Sequence, residues 1–386
     1  MASLSPFIVC VILFLFYMTK QSISDRNMIA IIVCSSILIG AVNAVKVLDN
    51  DLLQSIELFH LAKEMPLSRY IWVGSSAGGM ESTKEPLYPV IVWLMNKLCL
   101  DNEVLFKFFF SVISYCLLNV SVLIVGRKNN LNSRYILFGI LMMTFIPYIF
   151  TLSMQLLRQF LASSIFMVII SLASFTSIKK LKLVVMSVCM FLIHSSSLFF
   201  IPFIFIQAFE RKWKDAKIWY IGAALFFFFI QFVSGLLLKI VGDNNSLGYA
   251  LDRASRDTVF ESEKLGIAAI GLLLVIIYVS FKFVFLVNFK EDKGIRRFFN
   301  VPFFLSIFVL FNLNQRELAL RMLFYTYPFV PFIVMFYAYR MKFRLASVLL
   351  ISLLSIISFL LYIQFGVWTY KIPFSIFFTP LAFYLV

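Results

Sequence analysis

The sequence predicts an all-α, polytopic integral membrane protein, and three observations carry that prediction. Of the 386 residues 62% are apolar, the mean hydropathy is +0.95, and only 14% are charged. A soluble domain of this size is about half apolar, so lipid must be the solvent for most of this surface. The 47 phenylalanines suit lipid-facing and interhelical packing in a hydrophobic slab. The net charge of +15 comes from basic residues in short clusters between long apolar runs. That spacing reads as membrane orientation and excludes the basic, stacking face of a nucleic-acid binder.

A bilayer core of about 30 Å takes roughly 20 apolar residues per helix. On that measure spans fall near 3–19, 28–45, 104–126, 135–152, 154–176, 181–195, 197–209, 218–240, 265–288, 298–313, 320–338, 345–366 and 372–386. These make about 12–13 transmembrane helices in a single transmembrane domain, 1–386. The first run has no basic n-region or small-residue cleavage site and is read as a retained helix. The pair 181–195 and 197–209 is short for two crossings. Lys179, Lys180 and Lys182 precede it and Arg211, Lys212 and Lys214 follow it, so both flanks lie on one side. Only an even number of crossings returns the chain there, which predicts a tight helical hairpin.

Alternate connections then collect nineteen basic residues against five acids, Asp25, Glu210, Asp215, Glu291 and Asp292. The positive-inside rule makes that side cytoplasmic and puts the N-terminus outside and the C-terminus inside. If Leu87–Leu100 crossed, Arg127–Arg134 would flip outward, so a helix near 87–100 is placed in the outer interface. The outer face thus carries a large loop, 46–103, and a second, 241–264. The five cysteines are scattered with no C-x-x-C pair, so neither a disulfide framework nor a zinc site is expected. No Walker A, G-x-G-x-x-G or H-E-x-x-H pattern occurs, and no cofactor is expected.

Ionisable residues in or beside lipid are costly and mark function, and here they gather at the outer helix ends. Arg158, beside Gln159 in Met154–Ala162, lies about one turn into a span and suits a phosphate or pyrophosphate with its bidentate fork. The plain alternative is an arginine snorkelling to the interface. Glu85, in Glu81–Tyr88, precedes Pro86 at a helix start. It is a candidate general base or a complement to the helix dipole. Asp49 and Asp51, at the outer end of the second span, are further candidate acids. His194, in Ile193–Ser197, suits proton transfer or phosphate binding, or a satisfied turn. Arg316, Arg321 and Tyr325 follow in one loop and helix, the last two four apart on one face. Arg253 and Arg256 add cations to the second outer loop.

In these residues the chain resembles the EpsG-like, Wzy-type family of polysaccharide polymerases. The resemblance lies in an acidic first outer loop, E-P-L-Y with an interfacial helix, L-R-Q-F-L-A at a helix start, I-H-S-S at a hairpin and a late R-x-x-x-Y helix. It implies a GT-C-like, polymerase-type bundle in the bacterial inner membrane with a cavity at the periplasmic face. Such an enzyme joins undecaprenyl-pyrophosphate-linked oligosaccharide units into O-antigen, capsule or exopolysaccharide, with membrane lipid and a chain-length regulator as expected partners. Arg158, Gln159, Arg316, Arg321, Tyr325, Arg253 and Arg256 would then hold the pyrophosphate. Glu85, Asp49, Asp51 and His194 would serve catalysis. A flippase for the same lipid-linked unit and a polyprenyl-phosphate-dependent single-sugar glycosyltransferase are the competing readings. A flippase should carry mid-membrane charges and repeated halves, whereas Lys282 is the main mid-span charge here and no repeat is evident; the second should carry a large outer domain, and none is present.

Overall fold

Helix starts follow the polar residues that separate the apolar runs. Ser5 caps α1 (Pro6–Met18) and Ser24 caps α2 (Asp25–Ala44) through side-chain oxygens that accept from Ile8 and Asn27 N–H. Asn102 does the same for α6 (Glu103–Lys128) and Asn132 for α7 (Ser133–Phe145). An N-cap of this kind stabilises a helix by about 1 kcal/mol. The structure, a computed structural model, describes residues 5–20, 22–48, 50–76, 85–211, 217–219, 221–222, 225, 229–242, 248, 251–252, 267–286, 293–313, 316–365 and 374–384.

Among those residues the chain is helical with no strand, as expected of an all-α polytopic membrane protein. Six helices are long and apolar enough to cross a membrane: α2, α6, α9 (Leu157–Phe175), α14 (Lys293–Phe311), the run Met322–Arg340 and α17 (Leu345–Phe365). Shorter apolar helices stand beside them, among them α1, α7, α12 (Ile230–Val241) and α13 (Ile267–Phe281). The α2–α6 seam is a close approach. A Cβ on Gly40 would meet the Phe108 carbonyl at 2.9 Å and Val112 at 2.6 Å, the small-residue packing that membrane helices favour.

Several expected spans are broken, and proline explains two of the breaks. Extended Ile146 precedes Pro147 and divides 135–152 into α7 and α8 (Pro147–Gln155). The run Met322–Arg340 comprises the end of α15 (Arg316–Thr326), a 3₁₀ turn at Tyr327–Phe329 holding Pro328, and α16 (Val330–Arg340). The hairpin forms α10 (Lys180–Ile193), extended His194, a 3₁₀ turn Ser195–Phe200, α11 (Ile201–Phe205) and a last 3₁₀ turn to Glu210. The segment 372–386 departs most from expectation. Its described part is two 3₁₀ turns, Phe374–Phe378 and Leu381–Tyr384. They pack on the start of α1, where Ser5 Oγ donates to the Phe377 carbonyl and the Phe7 and Phe377 rings meet at 5.4 Å. The described C-terminal segment therefore lies at the same end as the start of α1, not across from it.

Described arginines of the basic clusters are held at helix ends. Arg127 pairs with Asp25 at 2.8 Å and donates to the Ile23 carbonyl, and Arg134 donates to the Met18 carbonyl. At the hairpin's return, Arg297 pairs with Glu210 at 2.6 Å and donates to the Ala173 carbonyl at the end of α9. Gly294 makes that contact possible, because a Cβ there would collide with the Ser174 carbonyl oxygen and the Phe175 ring. Gly294→Ala is expected to cost about 1–3 kcal/mol by overpacking. The check is the temperature at which detergent-purified protein leaves the monodisperse peak, which should fall by several degrees.

The described residues of 46–103 form two further helices besides the one expected near 87–100. The three are α3 (Asn50–Glu64), α4 (Leu67–Ser76) and α5 (Leu87–Cys99). Leu52, Ile56 and Phe59 form the buried stripe of α3 at helical spacing. Tyr70 donates to the Leu58 carbonyl at 2.7 Å, and Asn96 to the Phe59 carbonyl at 2.8 Å. Asp101, in a left-handed turn (φ 62°), binds His60 at 2.8 Å and Lys63 at 3.1 Å. These donors, His60 first, pull its carboxyl down to about 2.

Candidate functional site

Glu85 stands between these helices and the bundle. Pro86 disfavours helical backbone at Glu85 and leads into α5. The Glu85 side chain is 7% exposed, yet both of its oxygens are engaged. Oε1 accepts from His194 Nδ1 at 2.8 Å, from the Ser195 N–H at 2.9 Å and from Ser195 Oγ at 3.0 Å. Oε2 accepts from Arg158 Nη1 at 2.9 Å. Three motifs separated by 73 and 109 residues in sequence thus meet at one carboxylate.

Burial alone would raise the Glu85 pKa. The His194 charge and hydrogen bond, then Arg158 and the Ser195 N–H, outweigh it and hold the carboxyl below its ordinary value. The group is therefore a carboxylate at neutral pH and can only accept. His194 Nδ1 must accordingly carry a proton toward it, and only in the neutral tautomer does Nε2 hold a lone pair.

Local breaks in the helices place each partner. α8 ends at Gln155, Leu156 leaves helical geometry (φ −127°, ψ 64°), and α9 begins at Leu157 with no side-chain cap. Arg158 therefore sits in the first turn of a 19-residue helix, at its positive end. Half of its side chain is exposed, and its guanidinium lies 5.7 Å from the centre of the Tyr88 ring. Gln159 is turned inward and buried. His194 sits where α10 stops and the 3₁₀ turn starts. The 14-residue α10 is only about 21 Å long, shorter than the roughly 30 Å bilayer core.

Tyr325 joins the same constellation from α15. It is fully buried, its hydroxyl is 3.3 Å from Ser196 Oγ, and its ring lies 4.0 Å from that of Phe200. It braces the hairpin directly behind His194. Arg321 is one turn earlier on the same helix and Arg316 is its first residue. Asp51, in the first turn of α3, is exposed at the rim. Ser55, one turn on, accepts from the Tyr88 hydroxyl at 3.4 Å, and the Asp51 charge is felt at that phenol. Asp49, Arg253 and Arg256 lie outside the described residues.

Ser195 and Tyr88 are site residues that sequence reasoning passed over, although both stand inside motifs singled out for their neighbours. No group of three or more His, Cys, Asp or Glu side chains among the described residues is placed to hold a metal ion. No curated protein and no solved structure matches the chain. A family model described as the EpsG family matches residues 49–383, a stretch that contains every residue of the site just described, and the chain belongs to that family.

Proposed function

We propose that this protein is a polymerase that joins undecaprenyl-pyrophosphate-linked oligosaccharide repeat units at the periplasmic face of the bacterial inner membrane. The convergence of Arg158, His194 and Ser195 on Glu85, at the end away from the basic clusters, is the observation that carries the reading. Family membership supports a membrane protein of the polysaccharide-polymerase type.

In this reading the donor is the growing chain on its lipid pyrophosphate. Arg158 and the N–H groups opening α9 hold the pyrophosphate and stabilise the charge that develops as it departs. A hydroxyl of the next lipid-linked unit attacks the anomeric carbon, and the new C–O bond forms as the carbon–phosphate oxygen bond breaks. The electron pair leaves with undecaprenyl pyrophosphate, and the hydroxyl proton passes to His194 Nε2. Glu85 is the anchor that orients the imidazole and stabilises its charged form, the part a buried acid plays beside a catalytic histidine. It is a poor base itself, because four donors already hold it ionised. Tyr325 positions the hairpin, and Arg321 adds positive charge one turn away.

Deletion in the native bacterium, followed by gel analysis of surface polysaccharide, tests the reading. A polymerase mutant keeps a single repeat unit and loses the ladder; complete loss of surface units points to a flippase. Arg158→Lys retains charge but loses the fork. Its apparent KM for the lipid-linked donor is expected to rise about tenfold, about 1.4 kcal/mol, and wild-type kinetics would remove Arg158 from pyrophosphate binding.

A further inference from the structure

Asn43 lies in the last turn of α2 and is fully buried. Its Nδ2 donates to Ser111 Oγ on α6 at 3.0 Å and to Ser153 Oγ on α8 at 2.8 Å. One amide thus joins three helices at the end where the site lies. Ser153 passes its own proton to the Phe150 carbonyl at 2.7 Å, which commits its oxygen to accept from the amide. Oδ1 of Asn43 has no hydrogen-bond partner among the described residues. An amide left half satisfied in an apolar interior adds little net stability. What the two directed bonds supply is register between α8 and the α2–α6 pair.

That register bears on Arg158. Ser153 is two residues from the end of α8, and Arg158 follows across the break at Leu156. Beyond the break α6 makes contact again, where Tyr115, one turn after Ser111, packs its ring 5.6 Å from that of Phe160 in the first turn of α9. One face of α6 therefore grips the chain on both sides of the break.

We infer that Asn43 is a positioning residue, holding the end of α8 so that the break at Leu156 aims Arg158 at Glu85 and at the pyrophosphate. The inference rests on the pyrophosphate-binding reading of Arg158. The test compares wild type, Asn43→Leu and Ser153→Ala, each alone and combined with Arg158→Lys. Purified protein is assayed for undecaprenyl pyrophosphate binding, and proteoliposomes for polymer synthesis. Both single variants should keep the wild-type melting profile in detergent and bind undecaprenyl pyrophosphate about tenfold more weakly. In the Arg158→Lys background they should add no further loss. Wild-type affinity in both variants overturns the inference, as does a loss that multiplies with Arg158→Lys or that tracks loss of folded protein. Ser153→Ala keeps the test decisive if Asn43→Leu fails to fold. Wild-type binding without polymer synthesis would overturn the polymerase reading alone. No wild-type binding of undecaprenyl pyrophosphate would overturn the inference together with the pyrophosphate site.

Discussion

Glu85→Gln is expected to reduce chain extension at least about 100-fold, about 2.7 kcal/mol of barrier. The substitution preserves size but not chemistry. A glutamine offers one accepting oxygen and a donating amide, whereas Glu85 accepts from His194 Nδ1, the Ser195 N–H, Ser195 Oγ and Arg158 Nη1. At least one of these donors must then face an N–H. A buried donor left without an acceptor costs about 1–3 kcal/mol, and here most of the loss falls on activity, because the imidazole loses its tautomer and Arg158 its aim. Half-exposed Arg158 is screened by solvent, so its share of any stability loss is small. Glu85→Asp, one methylene shorter, should also fail, since it cannot reach the hairpin and Arg158 together. The pH dependence follows from the sign of the shift. The folded carboxyl is held below its ordinary value, so the stability it contributes is complete above the usual carboxylate range and is lost as pH falls below it. A decline in activity between pH 6 and 7 would have to come from another group.

His194→Gln is expected to lower the rate about 10²–10⁴-fold, the usual worth of a positioned general base, with little change in donor KM. The glutamine amide still donates to Glu85, so the hairpin stays in place while the basic Nε2 is lost. The distinguishing readout is the pH–rate profile, whose acid limb should disappear in the variant. An Arg158 variant shows the opposite pattern, a raised donor KM with the pH profile unchanged. A purely structural His194 would instead give a uniform loss that follows folded protein.

The bundle was legible in the sequence because lipid imposes long apolar runs, and among the described residues six helices are long and apolar enough to cross a membrane. Misread elements were those where apolar composition and chain geometry disagree. The run 372–386 is apolar throughout, but Pro373 and Pro380 leave only six residues between them, too few for a span, so it folds back as short turns. The loop 46–103 looked irregular because α3 is polar overall, although Leu52, Ile56 and Phe59 already stood at helical spacing. Glu85, Arg158 and His194 were found individually because each is ionisable beside an apolar run. Their roles were not legible. A free carboxylate on a surface loop is a natural base, and only the fold shows it saturated by donors from two distant segments. Asn43 and Ser153 gave no signal at all, since small polar residues are common in membrane helices.

In the proposed reaction a Glu85-organised site at the non-cytoplasmic face transfers a growing glycan from its lipid pyrophosphate to a second lipid-linked unit. The most direct test of that transfer is purified protein in proteoliposomes, supplied only with a lipid-linked oligosaccharide repeat unit and no nucleotide sugar. The expected result is a ladder of products spaced by one repeat, with one undecaprenyl pyrophosphate released per new bond, and no ladder from Glu85→Gln. Movement of the lipid-linked unit across the bilayer with neither a ladder nor released pyrophosphate carrier would contradict it.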